Sequence, residues 1–322
     1  MIQAIKQFLC NQERKKFKKQ EAEQPFVPMR YPNVYQVSNI YYGHGIGADD
    51  VGLDKEGDPD YRMDLFYDEK AKHKLPIIIS IHGGGLITGN KEFNKYMCRE
   101  FAAKEFLVYA IEYPKLPEHT IDEVVEAVVT AIRMIVYSAA TMEGDPEKVF
   151  IVGDSAGAFL AVHATAILHN PKLADEFGIE TEPYKVRITG LALICGMFYA
   201  DRNNPCELFY KFLFSGKNTK KDAVKRYRSP ERNEVAGSLP PCIFITSEGD
   251  FLNKHSHSFA AALLLFSDIL VSFEEYQDPT LVHDFPLFQC DRDETGDAIR
   301  KICSFFWHCI WREKNVKTIP VY

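Results

Sequence analysis

The chain has 322 residues, of which 46% are hydrophobic and 26% charged, and its formal net charge is −7 at pH 7. This length accommodates one large α/β domain or two small ones. The acidic net charge and the lack of a binding motif argue against nucleic acid as a partner, although residues 217–232 are basic. No apolar run reaches the roughly 20 residues of a membrane span, so we expect a soluble, cytoplasmic protein.

Residues 1–24 form the first predicted element, a charged segment with apolar side chains on one helical face. Residues 198–236 also interrupt the later alternation of strands and helices. A membrane-surface helix is one interpretation of residues 1–24. A signal peptide is not expected, because Lys6 interrupts the apolar run and no cleavage site follows.

The first half of the sheet leads to a glycine-rich loop. Residues 33–42 and 61–67 are typical of antiparallel edge strands, and residues 75–81 of a buried strand. The sequence HGGG at 82–85 follows, where glycines let backbone N–H groups approach a substrate. We predict that the amides of Gly83 and Gly84, with that of Ala156, stabilise an oxyanion, and that His82 orients the loop.

The nucleophile is predicted at a strand-to-helix turn. A strand at 106–113 and a helix at 121–138 precede a short strand at 148–152, then GDSAG at 153–157, then a helix to 168. This order is typical of a nucleophile elbow, which lifts Ser155 out of a tight bend at a helix N-terminus. The alternative is a serine N-cap in a glycine-rich turn.

Base and acid are expected after later strands, since a serine needs a general base and the base needs an orienting carboxylate. After strands at 187–194 and 242–246 comes Asp250, the predicted acid, with Glu248 as competitor. After a strand at 271–276 comes His283, the predicted base. Asp284 adjoins it and is expected to be structural, because it cannot easily fold back onto the imidazole.

A long helix at 295–311 completes an α/β pattern, which predicts a mostly parallel central sheet flanked by helices in a single domain over residues 1–322. No HExxH or CxxC sequence occurs, so no metal and no cofactor are predicted. The eight cysteines lack the spacing of a disulfide scaffold, and Cys195 and Cys242 are expected to be reduced and buried.

The sequence resembles the hormone-sensitive-lipase-like branch of the α/β-hydrolases over roughly residues 60–310. The motifs that carry the resemblance are HGGG at 82–85, GDSAG at 153–157, EGD at 248–250, HDF at 283–285, Tyr113 with LPEH at 116–119, and SP at 229–230 with LPP at 239–241. The resemblance implies an α/β-hydrolase fold with a helical cap over the active site, and we assign residues 1–24 and 198–236 to this cap. It also implies ester hydrolysis by Ser155, His283 and Asp250, with the oxyanion held by Gly83, Gly84 and Ala156. The chain departs from the family pattern at Pro114, Phe251 and Lys254-His255.

The expected substrate is a small-molecule ester with a short, acetyl-like acyl group, because aromatic residues in the cap would confine an apolar pocket. Those aromatics are Phe198, Tyr199, Phe209, Tyr210, Phe212 and Phe214. Arylformamidase, amidase or peptidase activity on the same fold is an alternative. A non-catalytic small-molecule receptor is less favoured, because receptors of this fold lose the histidine that is present here. A homodimer is possible for such a protein.

Overall fold

The computed structural model describes residues 2–22, 31–43, 58–71, 73–182, 185–200, 212–214, 223–266 and 268–316. Eight strands are β1 Val34–Tyr41, β2 Arg62–Asp68, β3 Leu75–Ile81, β4 Leu107–Ile111, β5 Gly144–Asp154, β6 Ile188–Ile194, β7 Cys242–Ser247 and β8 Val271–Tyr276. The α-helices within the described residues are α1 Ile2–Ala22, α2 Lys95–Ala102, α3 Ile121–Ser138, α4 Ala156–His169, α5 Pro171–Phe177, α6 Ala223–Tyr227, α7 Asn233–Ala236, α8 Asn253–Phe266, α9 Phe285–Phe288 and α10 Asp293–Val316.

The strands form one sheet in the order β1-β2-β4-β3-β5-β6-β7-β8. Strands β1 and β2 pair antiparallel, as do β2 and β4, and all other neighbours are parallel. The predicted mostly parallel sheet with antiparallel edge strands is therefore confirmed. Strand β5 begins earlier than predicted, because Gly144 and Asp145 pair with the start of β3 before an irregularity in register.

Helices cover the sheet on both faces, and alternate side chains of each central strand point to opposite faces. In β3, Ile77, Ile79 and Ile81 join the apolar cluster that contains α3 and α4. Ile78 joins the second cluster, with α2 and α10. The parallel strands are thus buried on both sides, and their carboxyl ends meet along one edge of the sheet.

Helix α1 lies against the loops after β3 and β4. Arg14 donates to the carbonyl oxygens of Ile87 and Leu116 and forms an ion pair with Glu118. Lys6 donates to the carbonyl of Leu213 at 2.9 Å. The helix therefore joins residues 212–214 to the loop that follows the HGGG sequence.

The predicted cap aromatics divide into three groups. Phe198 and Tyr199 are buried in the core instead, where the Phe198 ring packs on Phe244 and Phe259, because this segment directly continues β6. Phe214 is buried and Phe212 is half-buried. Phe209 and Tyr210 lie outside the described residues.

Cys195 and Cys242 are free and buried, as predicted. Among the described residues, no helix has the length and apolar character needed to cross a membrane.

Candidate active site

Ser155 occupies a strained turn between β5 and α4. Its φ of 48° and ψ of −114° lie in a region that side chains other than glycine rarely adopt. Its N–H donates to the carbonyl of Ile194 at 2.8 Å, which fixes the bend. A Cβ at Gly157 would lie 2.0 Å from the Ile81 oxygen, and one at Gly153 would lie 2.5 Å from the Gly157 oxygen. The two flanking glycines are therefore required for the turn.

Ser155, His283 and Asp250 form a continuous chain of hydrogen bonds. His283 Nε2 lies 2.9 Å from Ser155 Oγ, and His283 Nδ1 lies 2.6 Å from Asp250 Oδ1. The three residues come from the carboxyl ends of β5, β7 and β8, which the sheet brings together. The structure thus brings together all three residues that the sequence predicts for nucleophile, base and acid.

The Asp250 carboxylate is fixed by several hydrogen bonds. The hydroxyl of Thr246 and the N–H of Leu252 both donate to it at 2.9 Å. Burial by itself would raise its pKa, but the hydrogen bond and charge of His283 outweigh burial, and the pKa lies below its usual value. Glu248, the competing acid, is exposed to solvent. This placement favours Asp250, whose carboxylate alone of the two is bonded to His283.

The glycine loop differs in one respect from the sequence prediction. The Gly83 N–H donates to Asp154 Oδ2 at 2.7 Å and is therefore not free to receive an oxyanion. Gly84 and Gly85 have positive φ angles of 99° and 62°. Within the described residues, no acceptor contacts their N–H groups or that of Ala156. The available donors are thus one position further along the loop than predicted, because the first glycine is used to attach the loop to β5.

A buried network below the loop holds it in place. His82 Nε2 lies 3.0 Å from Glu112 Oε1, and its Nδ1 lies 2.8 Å from the Gly83 oxygen. The Tyr113 hydroxyl donates to the His82 carbonyl at 2.7 Å, and the two rings are stacked. The Lys115 ammonium donates to Glu112. His82 therefore contacts the loop as predicted.

Asn94 and Asp154 form a second support. The Asn94 amide donates to Asp154 Oδ1 at 2.7 Å and to Ser80 Oγ at 2.9 Å. Sequence reasoning did not single out Asn94 or Glu112, and assigned no role to Asp154. Asp154 stands inside the GDSAG motif. Nothing in the sequence positions of Asn94 and Glu112 indicates that Asn94 bonds to Asp154 or that Glu112 bonds to His82.

The prediction for Asp284 is wrong. The residue does fold back, since its φ is 57° and its Oδ2 lies 3.2 Å from His283 Nε2. The left-handed backbone at Asp284 reverses the direction of the side chain relative to an extended chain. His283 therefore contacts a carboxylate on each of its two nitrogens.

Among the described residues, one group has donor types that a metal ion could use, namely Cys195, Asp250 and His283, with donor atoms within 4.8 Å of one another. In this group the imidazole N–H donates to the carboxylate, and burial raises the pKa of the Cys195 thiol well above its usual range. A protonated thiol is a poor metal ligand. The donor set therefore fits a hydrogen-bonded triad better than a metal centre.

The chain belongs to the family described as the α/β hydrolase fold, which matches residues 78–287. This stretch includes all the residues of the site described above, and the resemblance predicted from the sequence is confirmed. The particular relatives differ in how much of their length is matched.

Among curated proteins, the chain is 33% identical over 111 residues to a probable isoprenylcysteine α-carbonyl methylesterase of Oryza sativa subsp. japonica, covering 34% of this chain and 26% of that protein. It therefore spans about a quarter of the length of this relative. Carboxylesterase NlhH of Mycobacterium tuberculosis is 24% identical over 248 residues, which are 74% of each chain. Among solved structures, esterase B of Lactobacillus rhamnosis, inhibited with a tributyrin phosphonate, superimposes with a TM-score of 0.81. That match is 20% identical and covers 98% of this chain and 97% of the other, and it shows the shared fold.

Proposed function

We propose that the protein is a carboxylic-ester hydrolase with Ser155 as nucleophile, His283 as general base and Asp250 as the orienting acid. The observation that carries the proposal is the hydrogen-bonded chain from Asp250 through His283 to Ser155, at 2.6 and 2.9 Å, which ends on a strained serine. A serine hydroxyl is a weak nucleophile unless a base removes its proton. The contact of Ser155 with His283 supports His283 as that base, and the contact of Nδ1 with Asp250 supports a tautomer with its proton on Nδ1.

In acylation, Ser155 Oγ attacks the ester carbonyl while its proton passes to His283 Nε2. The imidazolium is stabilised by Asp250 at Nδ1, and Nε2–H then protonates the departing alcohol as the carbon–oxygen bond breaks. In deacylation, a water molecule loses its proton to the same nitrogen and attacks the acyl-enzyme. The proton returns to Ser155 Oγ as the carboxylic acid leaves.

The tetrahedral intermediate carries its charge on the former carbonyl oxygen. We assign its stabilisation to the N–H groups of Gly84, Gly85 and Ala156, with Gly83 removed from the predicted set because of its bond to Asp154. Ala156 is the first residue of α4, so the helix dipole also favours a negative charge beside its N–H. The loss of one such donor typically costs about 10²–10³ in rate.

For the substrate we propose short-chain acyl esters of small alcohols. Support comes from α1, which is fixed by Arg14 and Lys6 beside the glycine loop. It also comes from the relatives: one is a carboxylesterase, and one structural neighbour is inhibited by a tributyrin phosphonate. Cytoplasmic location, a single domain with a cap, and a possible homodimer stay predictions.

The test is the hydrolysis of p-nitrophenyl acetate, butyrate and octanoate by the purified protein and by Ser155→Ala, with Ser138→Ala as a control. Ser138 lies at the end of α3, where its hydroxyl donates to the carbonyls of Met134 and Ile135 in the same helix. We expect Ser138→Ala to match the unmodified protein, and Ser155→Ala to lose at least about 10³-fold in kcat/KM. Retention of a tenth of the activity in Ser155→Ala would contradict the proposal.

The alternatives give different results in the same experiment. An amidase or arylformamidase would hydrolyse the matched anilide or formanilide faster than the ester. A receptor would bind a small molecule without any turnover that depends on Ser155. Retention of His283 in contact with Ser155 argues against the receptor.

A further inference from the structure

Asp284 is a buried acidic residue whose side chain does not cap the helix that it begins. It occupies the N-cap position of α9, where an aspartate usually accepts a backbone N–H, but its side chain makes no such bond. It is 4% exposed, and within the described part of the chain its Oδ1 has no hydrogen-bond partner. Burial of a carboxyl group and a left-handed backbone both cost free energy. The reason for this arrangement is therefore to be sought in its neighbour, His283.

His283 lies between two carboxylates. Asp250 is 2.6 Å from Nδ1, and Asp284 is 3.2 Å from Nε2. Ser155 Oγ shares Nε2 with Asp284, at 2.9 Å. A neutral imidazole with its proton on Nδ1 accepts from Ser155, whereas a protonated imidazole carries a positive charge beside the Asp284 carboxylate.

We propose that Asp284 is a positioning residue whose carboxylate, 3.2 Å from Nε2, stabilises the protonated imidazole by its charge and thereby makes His283 a stronger base toward Ser155. This inference rests on the proposed esterase function. The proton still moves from Ser155 Oγ to Nε2 and then to the leaving alcohol. Asp284 stabilises the intermediate imidazolium from the side opposite Asp250.

Other titratable groups in the described part of the chain lie around His283 and Asp284, but none of them forms an ion pair that would neutralise the Asp284 carboxylate. Asp154 and Asp250 are further buried carboxyls, and His82 and Cys195 come from the ends of β3 and β6. Among the described residues, no lysine or arginine forms an ion pair with Asp284 or Asp154. Of these groups, the His283 imidazole is the one that contacts Asp284 as a potential cation.

The electrostatics agree with this geometry. Burial raises the pKa of Asp284 well above its usual range. Burial also disfavours the imidazolium, but the charge of Asp284, followed by the hydrogen bond of Asp250, outweighs it and raises the pKa of His283. Both groups therefore bind a proton more readily than they would in water.

Two opposite consequences follow for an Asp284→Asn variant. Above neutral pH its kcat/KM should fall by several-fold, because the base is weaker. The acid limb of its pH profile should move to lower pH by about one unit or more. The pKa of His283 falls because an opposite charge within about 4–6 Å of the imidazole is lost. A structural role would lower the rate without moving the limb.

The experiment is the pH dependence of kcat/KM for p-nitrophenyl butyrate between pH 4.5 and 9. It compares the unmodified protein, Asp284→Asn, and Asp278→Asn as a control. Asp278 is in the same loop but is paired with Arg292, so its removal should leave the limb in place. An acid limb that stays in place or moves to higher pH in Asp284→Asn would overturn the proposal. If this variant does not fold, Asp284→Ser replaces it, with the same expected shift.

A second measurement does not depend on turnover. In a Ser155→Ala background, the His283 imidazole is titrated by NMR with and without Asp284→Asn. We expect its pKa to fall by about one unit or more when the carboxylate is removed, and an unchanged pKa overturns the inference. An inactive wild-type protein with the expected NMR shift would contradict the esterase function and leave the role of Asp284 intact.

Discussion

Asp154 Oδ2 accepts the backbone N–H of Gly83 at 2.7 Å, so the residue before the candidate nucleophile holds the glycine loop. Its other oxygen accepts the Asn94 amide at 2.7 Å. A Cβ at Gly83 would lie 2.5 Å from Asp154 Oδ2, which leaves no room for a larger residue. One buried carboxylate therefore fixes the glycine loop relative to Ser155.

Asp154→Asn tests this connection. An amide has one acceptor oxygen, and its NH₂ group would face a second donor, either Gly83 or Asn94. We expect the loop to shift, kcat to fall by up to about 10²-fold, and KM to change little. Asp145→Asn, on the same strand and paired with Lys148, is the control for loss of a carboxylate. Equal kinetics of the two variants would contradict the role of Asp154.

Asp250→Asn and Glu248→Gln separate the two candidate acids. The amide introduced by Asp250→Asn would no longer select the Nδ1–H tautomer of His283, and kcat should fall by about 10⁴-fold, as in other serine triads. Glu248 is exposed, so Glu248→Gln should remain within about twofold of the unmodified protein in the same kcat measurement. A larger loss in Glu248→Gln than in Asp250→Asn would mean that the acid is wrongly assigned.

Most of the framework could be predicted from the sequence, because it depends on local patterns. The apolar run at β3 and the helical periodicity of α3 predict elements with the same bounds as in the structure. The order of the motifs along the chain indicates which strand ends meet. The extension of β5 to Gly144 could not be predicted, because it depends on pairing with β3.

The parts of the site that were missed depend on contacts between distant segments. The bond of Gly83 to Asp154 spans 71 residues, and Glu112 reaches His82 across 30. Asp284 was misjudged for a different reason: the prediction assumed an ordinary backbone, whereas the φ of 57° turns its carboxylate toward Nε2. A left-handed backbone is uncommon for aspartate, so the residue type at this position does not predict it.

The pKa of Glu112 leads us to expect that the free energy of unfolding depends on pH. Burial by itself would raise its pKa, but His82 and Lys115 outweigh burial and lower it to about 2. Since the pKa of Glu112 is lower in the folded protein than in the unfolded chain, its ionised carboxylate stabilises the fold. This contribution to the free energy of unfolding is complete above about pH 5 and is lost as the pH falls toward 2. Glu112→Gln should therefore lower the free energy of unfolding by on the order of 2–3 kcal/mol at pH 7.

Urea unfolding at pH 7 and at pH 3.5 checks this prediction, with the exposed Glu147→Gln as control. The difference between Glu112→Gln and the unmodified protein should be smaller at pH 3.5. A difference that is the same at both pH values would show that the Glu112 charge contributes nothing to stability.

Arg14→Ala tests whether α1 shapes the substrate pocket. The substitution removes the bonds to Ile87 and Leu116 and the ion pair with Glu118. We expect α1 to loosen, so that kcat/KM for octanoate rises relative to acetate by about tenfold or less. Arg232→Ala, which breaks a comparable pair with Glu176, should leave this ratio unchanged. An unchanged ratio in Arg14→Ala as well would contradict the assignment of α1 to the cap.

Covalent labelling of the intact protein tests the central claim most directly. A fluorophosphonate phosphonylates only a serine that is activated by a base, and mass spectrometry of the digested protein identifies the modified residue. The account predicts one phosphonyl group per chain, carried by Ser155, with labelling slowed strongly in His283→Ala. Labelling at another serine, or no labelling of a folded protein, would contradict it.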